Sequence, residues 1–411
     1  MTLTAPSRFP RLQVRRVTQN LDYLRIPLNA SERADRKGDV PYWGANGVVD
    51  HVNEPLVDRH VVLIGEDGAP FLDPLKPVAF AVDEPIWPNN HIHVLDVGPD
   101  NDPQFIAYAL NSVDYSLHIK GSTRDKLNQS ALSSIEIPVP DFSAQKIIAD
   151  YLDHETAEIE NLVSDQRKFQ VLLEELRSSE ISRAFPTEDP VRLKWVLDMA
   201  ITGPFGTALS ASEYITGGVP VINPTHIHRG QIASDLDVSI SEEKAAALSR
   251  FRMNVGDIIL GRKGEVDKAA LVDHRFAGSI CGSDSMLLRP SAQLHSEYFW
   301  WFLQSPQAQS QLQLWSVGST VQGLNQNTIN RIHIPCPPVD MQEQISDQIN
   351  GRATGIDDLL RETTRVMQLA RERRAALITA AVTGQIDVTA RHKPAAEQLE
   401  DDIAQGLHRE N

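Results

Sequence analysis

The sequence predicts an α+β protein. It has two globular mixed α/β domains separated by two long helices of coiled-coil spacing, which pack on each other in an internal repeat. Three observations carry this. First, the 43 residues from Gly121 recur without a gap from Gly318, 197 positions later, and fifteen positions are identical, among them Gly-Ser-Thr, Leu-Asn-Gln and an I-x-I-P-x-P core. A period that long excludes a solenoid and describes a duplicated half-protein. Second, the I-P-x-P elements at 137–140 and 334–337 cannot lie inside a helix, because proline lacks the donor N–H and holds its predecessor extended. Third, a long helical pattern follows each of them, with apolar residues at alternating steps of four and three.

The first seam reads Ile148, Leu152, Glu155, Ile159, Leu162, Gln166, Phe169, Leu173, Leu176 and Glu180. The second reads Ile345, Ile349, Arg352, Ile356, Leu359, Thr363, Val366, Ala370, Arg373 and Leu377. Polar entries fall at matching places, so one ancestral seam accounts for both. Ser143 and Asp340 stand where N-caps are expected. Each helix should run roughly 40 residues, about 60 Å.

Taken in order, residues 1–142 form the first globular domain. It is rich in Gly, Pro, Asn and Asp, with short apolar runs at Val61–Ile64 and Val78–Val82 that suit strands. PYWGANGVVD (Pro41–Asp50) and LIGEDGAP (Leu63–Pro70) read as strand–turn units with glycine at the tips, and Phe105–Leu110 as a short helix. The first long helix occupies 143–186, and PTEDP links it onward. Residues 187–340 form the second globular domain, with strand–turn patterns in GGVPVINPTHIHRGQI and GDIILGRKGEVDKAALV and a buried helix at Tyr298–Ser305. The second long helix occupies 341–388, and 389–411 is a polar, mobile tail.

Composition sets the class. With 41% hydrophobic and 23% charged residues, the chain reads as a soluble globular protein. No apolar run approaches the roughly 20 residues of a membrane span, and the N-terminus lacks the apolar core of a secretory signal. Cys281 and Cys336 form no CxxC pair, which predicts free thiols and a cytoplasmic protein. The net charge of −16 speaks against a chain that holds DNA unaided. Either it binds no DNA, or it binds through local patches beside a more basic partner.

Catalytic signatures are missing. GRKGEVDK has the wrong spacing for a phosphate-binding loop, no G-x-S-x-G elbow occurs, and no Asn/Asp-Pro-Pro-aromatic signature of an amino-methyltransferase is found. Ser241–Lys244 (SEEK), downstream of Asp235 and Asp237, is only faintly like a metal nuclease and suits an ordinary helix start. His91/His93 and His226/His228 are both H-I-H, and alternate residues on a strand share a face. Without a third ligand at evident spacing, they read as polar strand faces. The chain is therefore expected to be non-catalytic and to bind no metal.

Contact with DNA suits the polar residues better. Arg and Lys read guanine, Asn and Gln read adenine, and hydroxyls and cations hold phosphates. The first domain offers Asn46, Lys120, Ser122, Thr123, Arg124 and Lys126 around glycine turns. The second offers His226, His228, Arg229, Arg262, Lys263 and Lys268. Arg262-Lys263-Gly264 is the sharpest, with two cations at a glycine turn after an apolar strand. Leu-Asn-Gln stands in both copies, so Asn128, Gln129, Asn325 and Gln326 are assigned a shared structural or partner-binding role instead.

With these stretches in view, the chain resembles the specificity subunit of a type I restriction–modification system. The resemblance rests on GST…LNQ…IPVP…Q…I…YLD, its second copy IPCPPVDMQEQI, and the closing RERRAALITAAVTGQIDV. PYWGANGVVD with LIGEDG, and GDIILGRKG…KAALV, are similar to motifs of the family's target-recognition domains. The likeness covers about residues 12–388. One departure is Ala144-Gln145 in the first copy, where the second has Glu343-Gln344 in a shifted frame.

The resemblance implies that each globular domain is a target-recognition domain reading half of a split double-stranded DNA site. The helices would pair as an antiparallel coiled coil, fix the gap and, in a pseudo-twofold arrangement, offer two surfaces for two adenine-N6 methyltransferase subunits. Motor–nuclease subunits would join, and S-adenosylmethionine, ATP and Mg would sit on those partners. The competing reading is a coiled-coil adaptor whose globular domains bind protein. Two different heads on near-identical seams argue for the DNA reader, because an adaptor has no reason to vary only its heads.

Overall fold

The computed structural model describes residues 7–119, 126–186, 190–204, 206–228, 230–262, 268–315 and 324–388. It divides into two compact units, residues 1–167 with 364–411 and residues 168–363. Each unit thus joins one globular block to part of both long helices, where the sequence reading separates blocks from helices.

Unit 1 begins with β1 (Arg11–Gln13), a one-turn α1 (Val14–Val17) and β2 (Thr18–Asn20), followed by α2 (Ala30–Asp35). Strands β3 (Val40–Gly44), β4 (Gly47–Val52), β5 (Val61–Gly65), β6 (Ala79–Val82), β7 (Trp87–Pro88) and β8 (Ile92–Val97) come next. Helix α3 (Pro103–Asn111), α4 (Gln129–Ser134), β9 (Glu136–Pro138) and the long α5 (Phe142–Ala184) complete the order. An antiparallel sheet runs β2-β8-β5-β6, a smaller one runs β4-β3-β7 with β3 and β7 parallel, and β1 pairs with β9. The I-P-x-P stretch is thus extended, its Ile137 paired with Leu12.

Alternation along β5 explains the layering. Val62 and Ile64 face α3 and the long helices, together with Phe105, Ile106, Ile148, Leu152 and Ile378. Val61 and Leu63 face the smaller sheet, together with Trp43, Ile86, Ile92 and Val94. Burial of each such large side chain stabilises the unit by about 1.5–3 kcal/mol.

Unit 2 repeats the order. Strands β10 (Pro190–Arg192), β11 (Leu197–Thr202), β12 (Val219–Ile222), β13 (Ile227–His228), β14 (Gln231–Ile232) and β15 (Ser239–Ile240) precede α6 (Glu242–Ala247). Then come β16 (Ile258–Gly261), β17 (Ala269–Leu271), β18 (Ile280–Cys281) and β19 (Ser285–Pro290). Helices α7 (Ser296–Leu303), α8 (Pro306–Trp315) and α9 (Gln326–Arg331) lead to β20 (His333–Pro335) and the long α10 (Val339–Val382). The sheets are β11-β19-β16-β17 and β15-β12-β18, the latter with β12 and β18 parallel, and β10 pairs with β20. The β13–β14 hairpin has no counterpart among the described residues of unit 1.

The long helices pair antiparallel in each unit, on a contact that keeps the expected seam at Ile148, Leu152, Ile159, Leu173, Ile349, Ile356, Thr363 and Ala370 and shifts by one residue at most of the positions between. In unit 1, Ile148 and Leu152 meet Ile378 and Ala381, while Ile159 and Val163 meet Met367 and Ala370. In unit 2, Leu173 packs with Ile356 and Leu360, and Arg177 Nε donates to Asp357 at 2.8 Å. Leu162, Phe169, Leu176 and Leu359, expected in the seam, are 42–48% exposed. Thr156, Val163, Ala353, Leu360 and Met367 are buried instead. Each of these lies one residue from an expected seam position, so at alternate places the contact turns to the neighbouring residue.

The caps also move. Helix α5 starts one residue earlier than expected, and the Asp141 carboxylate, not Ser143, accepts from Ala144 N–H at 2.9 Å. Helix α10 starts at Val339, which leaves Asp340 inside the first turn. The shifted-frame departure dissolves as well, since the equivalent of Gln145 is Gln342. Both are buried at the start of a long helix. Gln145 accepts from Asp102 N–H (2.9 Å) and donates to the Pro140 carbonyl (2.9 Å). Gln342 accepts from His295 N–H (2.8 Å) and donates to the Pro337 carbonyl (2.7 Å).

Candidate nucleic-acid interface

The described candidates of unit 1 gather at one end of its main sheet. Strand β5 ends at Gly65, and the loop beyond it is tied on three sides. Glu66 N–H donates to the His91 carbonyl (2.8 Å), and the Glu66 carbonyl accepts from Leu127 N–H (2.7 Å). Asn46, at the tip of the β3–β4 hairpin, donates from its carboxamide to the Gly68 carbonyl (3.2 Å). Gly47 follows it at φ +134°, a conformation an L side chain rarely adopts. Lys126 Nζ lies 3.1 Å from the Glu66 carboxylate. Asn46 and Lys126, 80 positions apart, are therefore brought to one loop cluster. Lys120, Ser122, Thr123 and Arg124 lie outside the described residues.

Beneath that cluster sits a charged network. Arg25 pairs with Glu66 and, at 3.3 Å, with Asp22. His93 is buried, its Nδ1 2.6 Å from Asp22 and its Nε2 2.8 Å from the Leu127 carbonyl. Both partners are acceptors. Burial opposes ionisation of Asp22, but bonds from His93 and the Val94 N–H outweigh it and hold the carboxyl below its ordinary range. Burial likewise opposes ionisation of Glu66, and bonds from Arg25 and Lys126 outweigh it. Sequence reasoning missed Asp22, Arg25 and Glu66, because apart from the Asp22–Arg25 pair their partners lie 41 or more positions away and leave no local spacing.

Unit 2 builds the same end differently. Arg262 follows β16 as Glu66 follows β5, its N–H donating to the Asp284 carbonyl (2.9 Å) and its carbonyl accepting from Leu324 N–H (2.8 Å). Its guanidinium Nε donates to the Leu324 carbonyl (3.0 Å), so the sharpest sequence candidate also braces the frame. Lys268 leads into β17, its carbonyl accepting from Gly261 N–H (2.7 Å). His228 is exposed on the β13–β14 hairpin. His226 is a correction: it is 8% exposed, and its Nδ1 accepts from Asn223 N–H at 3.3 Å. Burial pushes its imidazole below the ordinary value, so it is a packing residue rather than a surface contact. Arg229 and Lys263 lie outside the described residues.

The residues common to both copies hold the frame. Asn128 caps α4, accepting from Ala131 N–H at 2.9 Å, and Asn325 caps α9, accepting from Thr328 N–H at 3.1 Å. The first H-I-H pair turns to separate carboxylates. His91 Nδ1 lies 2.5 Å from Asp67, apart from the His93–Asp22 pair. No cluster of three metal-ligating side chains occurs among the described residues. Ser241 caps α6, accepting from Lys244 N–H (3.2 Å), while Lys244 pairs with Glu213 (2.5 Å), which disperses the nuclease-like quartet. No helix among the described residues is long and apolar enough to cross a membrane. Cys281 and Cys336 are free thiols.

Comparison with known proteins agrees with this geometry. The model for the type I restriction modification DNA specificity domain matches twice, over residues 25–166 and 204–351. A Haemophilus influenzae chain named as a type I restriction enzyme specificity subunit is 24% identical over 343 residues, 78% of this chain and 81% of that one. A chain solved in work on complex assembly and conformational transition of the type I R-M system superposes with a TM-score of 0.63. It is 15% identical, and the match covers 93% of this chain and 100% of that one. The M. genitalium S subunit superposes less closely, at a TM-score of 0.43 and 14% identity, with coverage of 93% and 98%. Two specificity domains in one chain, each with the same strand order and the same helix caps, place this protein in the type I restriction–modification DNA specificity family.

Proposed function

We propose that each unit reads one half of a bipartite, asymmetric double-stranded DNA site and that the paired helices fix the gap between the halves. One observation carries this reading. The same loop end is built twice on the same backbone hydrogen bonds, to Leu127 and to Leu324, with different side chains displayed around it. A constant frame with variable loops is what two independent half-site readers require. Asn46 and Lys126 in unit 1 and His228, Arg262 and Lys268 in unit 2 are the proposed contacts. Lys120, Ser122, Thr123, Arg124, Arg229 and Lys263 extend the same two lists.

Catalysis is assigned to partners. Two adenine-N6 methyltransferase subunits, carrying S-adenosylmethionine, would dock on the helices. Motor–nuclease subunits, with ATP and Mg, would complete the restriction complex in the cytoplasm. Exposed apolar side chains support helix docking: Leu162 and Leu369 in unit 1, and Phe169, Leu172, Leu176 and Leu359 in unit 2. Partners that supply phosphate contacts also reconcile DNA reading with a net charge of −16.

A single-molecule map of adenine methylation in host DNA, with and without the gene, tests the reading. Loss of one bipartite motif on deletion is expected. Exchanging one globular block should change one half-site, and adding or removing heptads in both helices should change only the gap. An unchanged map in a strain whose methyltransferase is active would favour the protein-binding adaptor.

A further inference from the structure

The two units differ along the outer edge of the main sheet. In unit 2 that edge is β17, and it is covered. Trp300 on α7 donates its indole N–H to the Ala269 carbonyl at 3.2 Å, and the β13–β14 hairpin lies against β17, with Ile232 and Ala270 in one cluster. Gly230 at the hairpin turn makes room for that indole, since a Cβ there would stand 2.5 Å from the Trp300 ring.

In unit 1 the edge is β6, and among the described residues it has neither cover. Asp102 and His295 make the same bond to Gln145 and Gln342, which sets the register of α3 against α7 and puts Ala107 where unit 2 has Trp300. Strands β3 and β4 connect directly, with no hairpin between them to lie over the edge. The result is a cleft of about 700 Å³, lined by Ala79, Ala81 and Ala107 and by Trp43. The indole N–H of Trp43 is buried and has no acceptor among the described residues.

Asn111 fills the first rung of the edge. Its Oδ1 accepts from the N–H groups of Val78 (2.8 Å) and Ala79 (3.0 Å), and its Nδ2 donates to the Ala79 carbonyl (2.8 Å). Backbone groups alternate sides along a strand, so Ala81, two residues on, turns its N–H and carbonyl the same way. No described strand pairs with them. An unpaired edge beside an apolar hollow is a template for strand addition. The charge at the rim is acidic, with Asp83, Glu84, Asp153 and Glu160 against Arg374.

We propose that this cleft docks an extended, basic peptide segment, which adds to β6 as a strand and seats a large apolar side chain over Ala107. Complementarity to the acidic rim selects the basic segment, and unit 2 supplies the geometry of a filled site within the same chain. The inference does not depend on the DNA reading, because the cleft is walled by α3 and α5 rather than by the loop end beyond β5.

Fluorescence anisotropy with the full chain and a labelled heptapeptide of alternating valine and lysine tests it, with a valine–glutamate heptapeptide as control. Saturable binding of the lysine peptide is expected. It should weaken by about tenfold or more in Ala107→Trp, which fills the cleft at unchanged charge, and in the pair Asp83→Lys with Glu84→Lys, which keeps its shape. Thermal melts establish that each variant is folded; if Ala107→Trp is not, Ala107→Leu takes its place. Absence of saturable binding, equal binding of both peptides, or unchanged affinity in the folded cleft-filling variant would overturn the proposal.

Discussion

Units 1 and 2 hold the same turn by different chemistry. In unit 1, the Leu127 backbone is gripped by the Glu66 carbonyl and by a buried His93, within a network of Asp22, Arg25, Glu66 and Lys126. In unit 2, one guanidinium reaches the corresponding Leu324 carbonyl, and the strand position of His93 is taken by the fully buried Met286. The shared element is the backbone bond from the leucine N–H to the residue after the strand. Charge around it is replaceable, and that freedom lets one frame present two different sets of side chains.

Removing the unit 1 grip should have the largest effect. His93→Leu leaves the Asp22 carboxylate and the Leu127 carbonyl without their buried donor, at a cost of about 3 kcal/mol. Hydrogen exchange read by mass spectrometry should show the loss in β8 and leave β19 protected. The same network sets a pH dependence. Asp22 and Glu66 have folded-state values below their unfolded ones, so the stability they supply is present above the ordinary carboxylate range. That contribution is lost as pH falls through the depressed values, and β8 should lose protection on acidification below about pH 4. Equal protection of β8 at neutral and acid pH would remove the network from the account.

Next come the buried glutamines, where the two units should behave alike. Gln145→Ala and Gln342→Ala each orphan a backbone N–H and a proline carbonyl, at a cost of about 2–3 kcal/mol. A large loss in only one of the two, measured by denaturant melts, would mean the repeat is not energetically symmetric. Arg262→Ala removes a charged donor from the Leu324 carbonyl and should cost about 2 kcal/mol, with exchange rising in α9. A variant that loses DNA selectivity while α9 stays protected would instead make Arg262 a reader alone.

These pairs also mark what the sequence could show. The duplicated stretch announced the paired long helices, and the hairpin in PYWGANGVVD and the helix over Phe105–Leu110 were legible from glycine turns and periodicity. Alternate seam positions were legible too, at Ile148, Leu152, Ile159, Leu173 and Ile356. Those between were not, because Leu162 and Leu359 stand directly beside the buried Val163 and Leu360, and composition cannot say which of two apolar neighbours meets the partner. Gln145 was within reach, being identical to Gln342 in a gap-free alignment. A shifted frame that sets Ala144-Gln145 against Glu343-Gln344 hides that equivalence. At the candidate interface, residue types were readable but engagement was not. Lys126 meets Glu66 and Arg262 meets Leu324 only after long-range folding. His226 lay in a strand-like pattern whose burial no local spacing reveals.

The smallest effect separates frame from reader most cleanly. Asn128 and Asn325 are identical, cap equivalent helices, and follow leucines that are both fully buried. An N-cap asparagine replaced by alanine costs about 1 kcal/mol, so Asn128→Ala and Asn325→Ala should each raise exchange in α4 or α9 alone. Serine at either position should restore most of the loss, since its hydroxyl also accepts from the third helical N–H. On the proposed half-site reading the methylated motif should stay the same in all four variants, because a residue common to both units cannot specify a difference between them. Should one alanine variant change a single base preference while its helix remains protected, that asparagine would move from the frame to the reading surface.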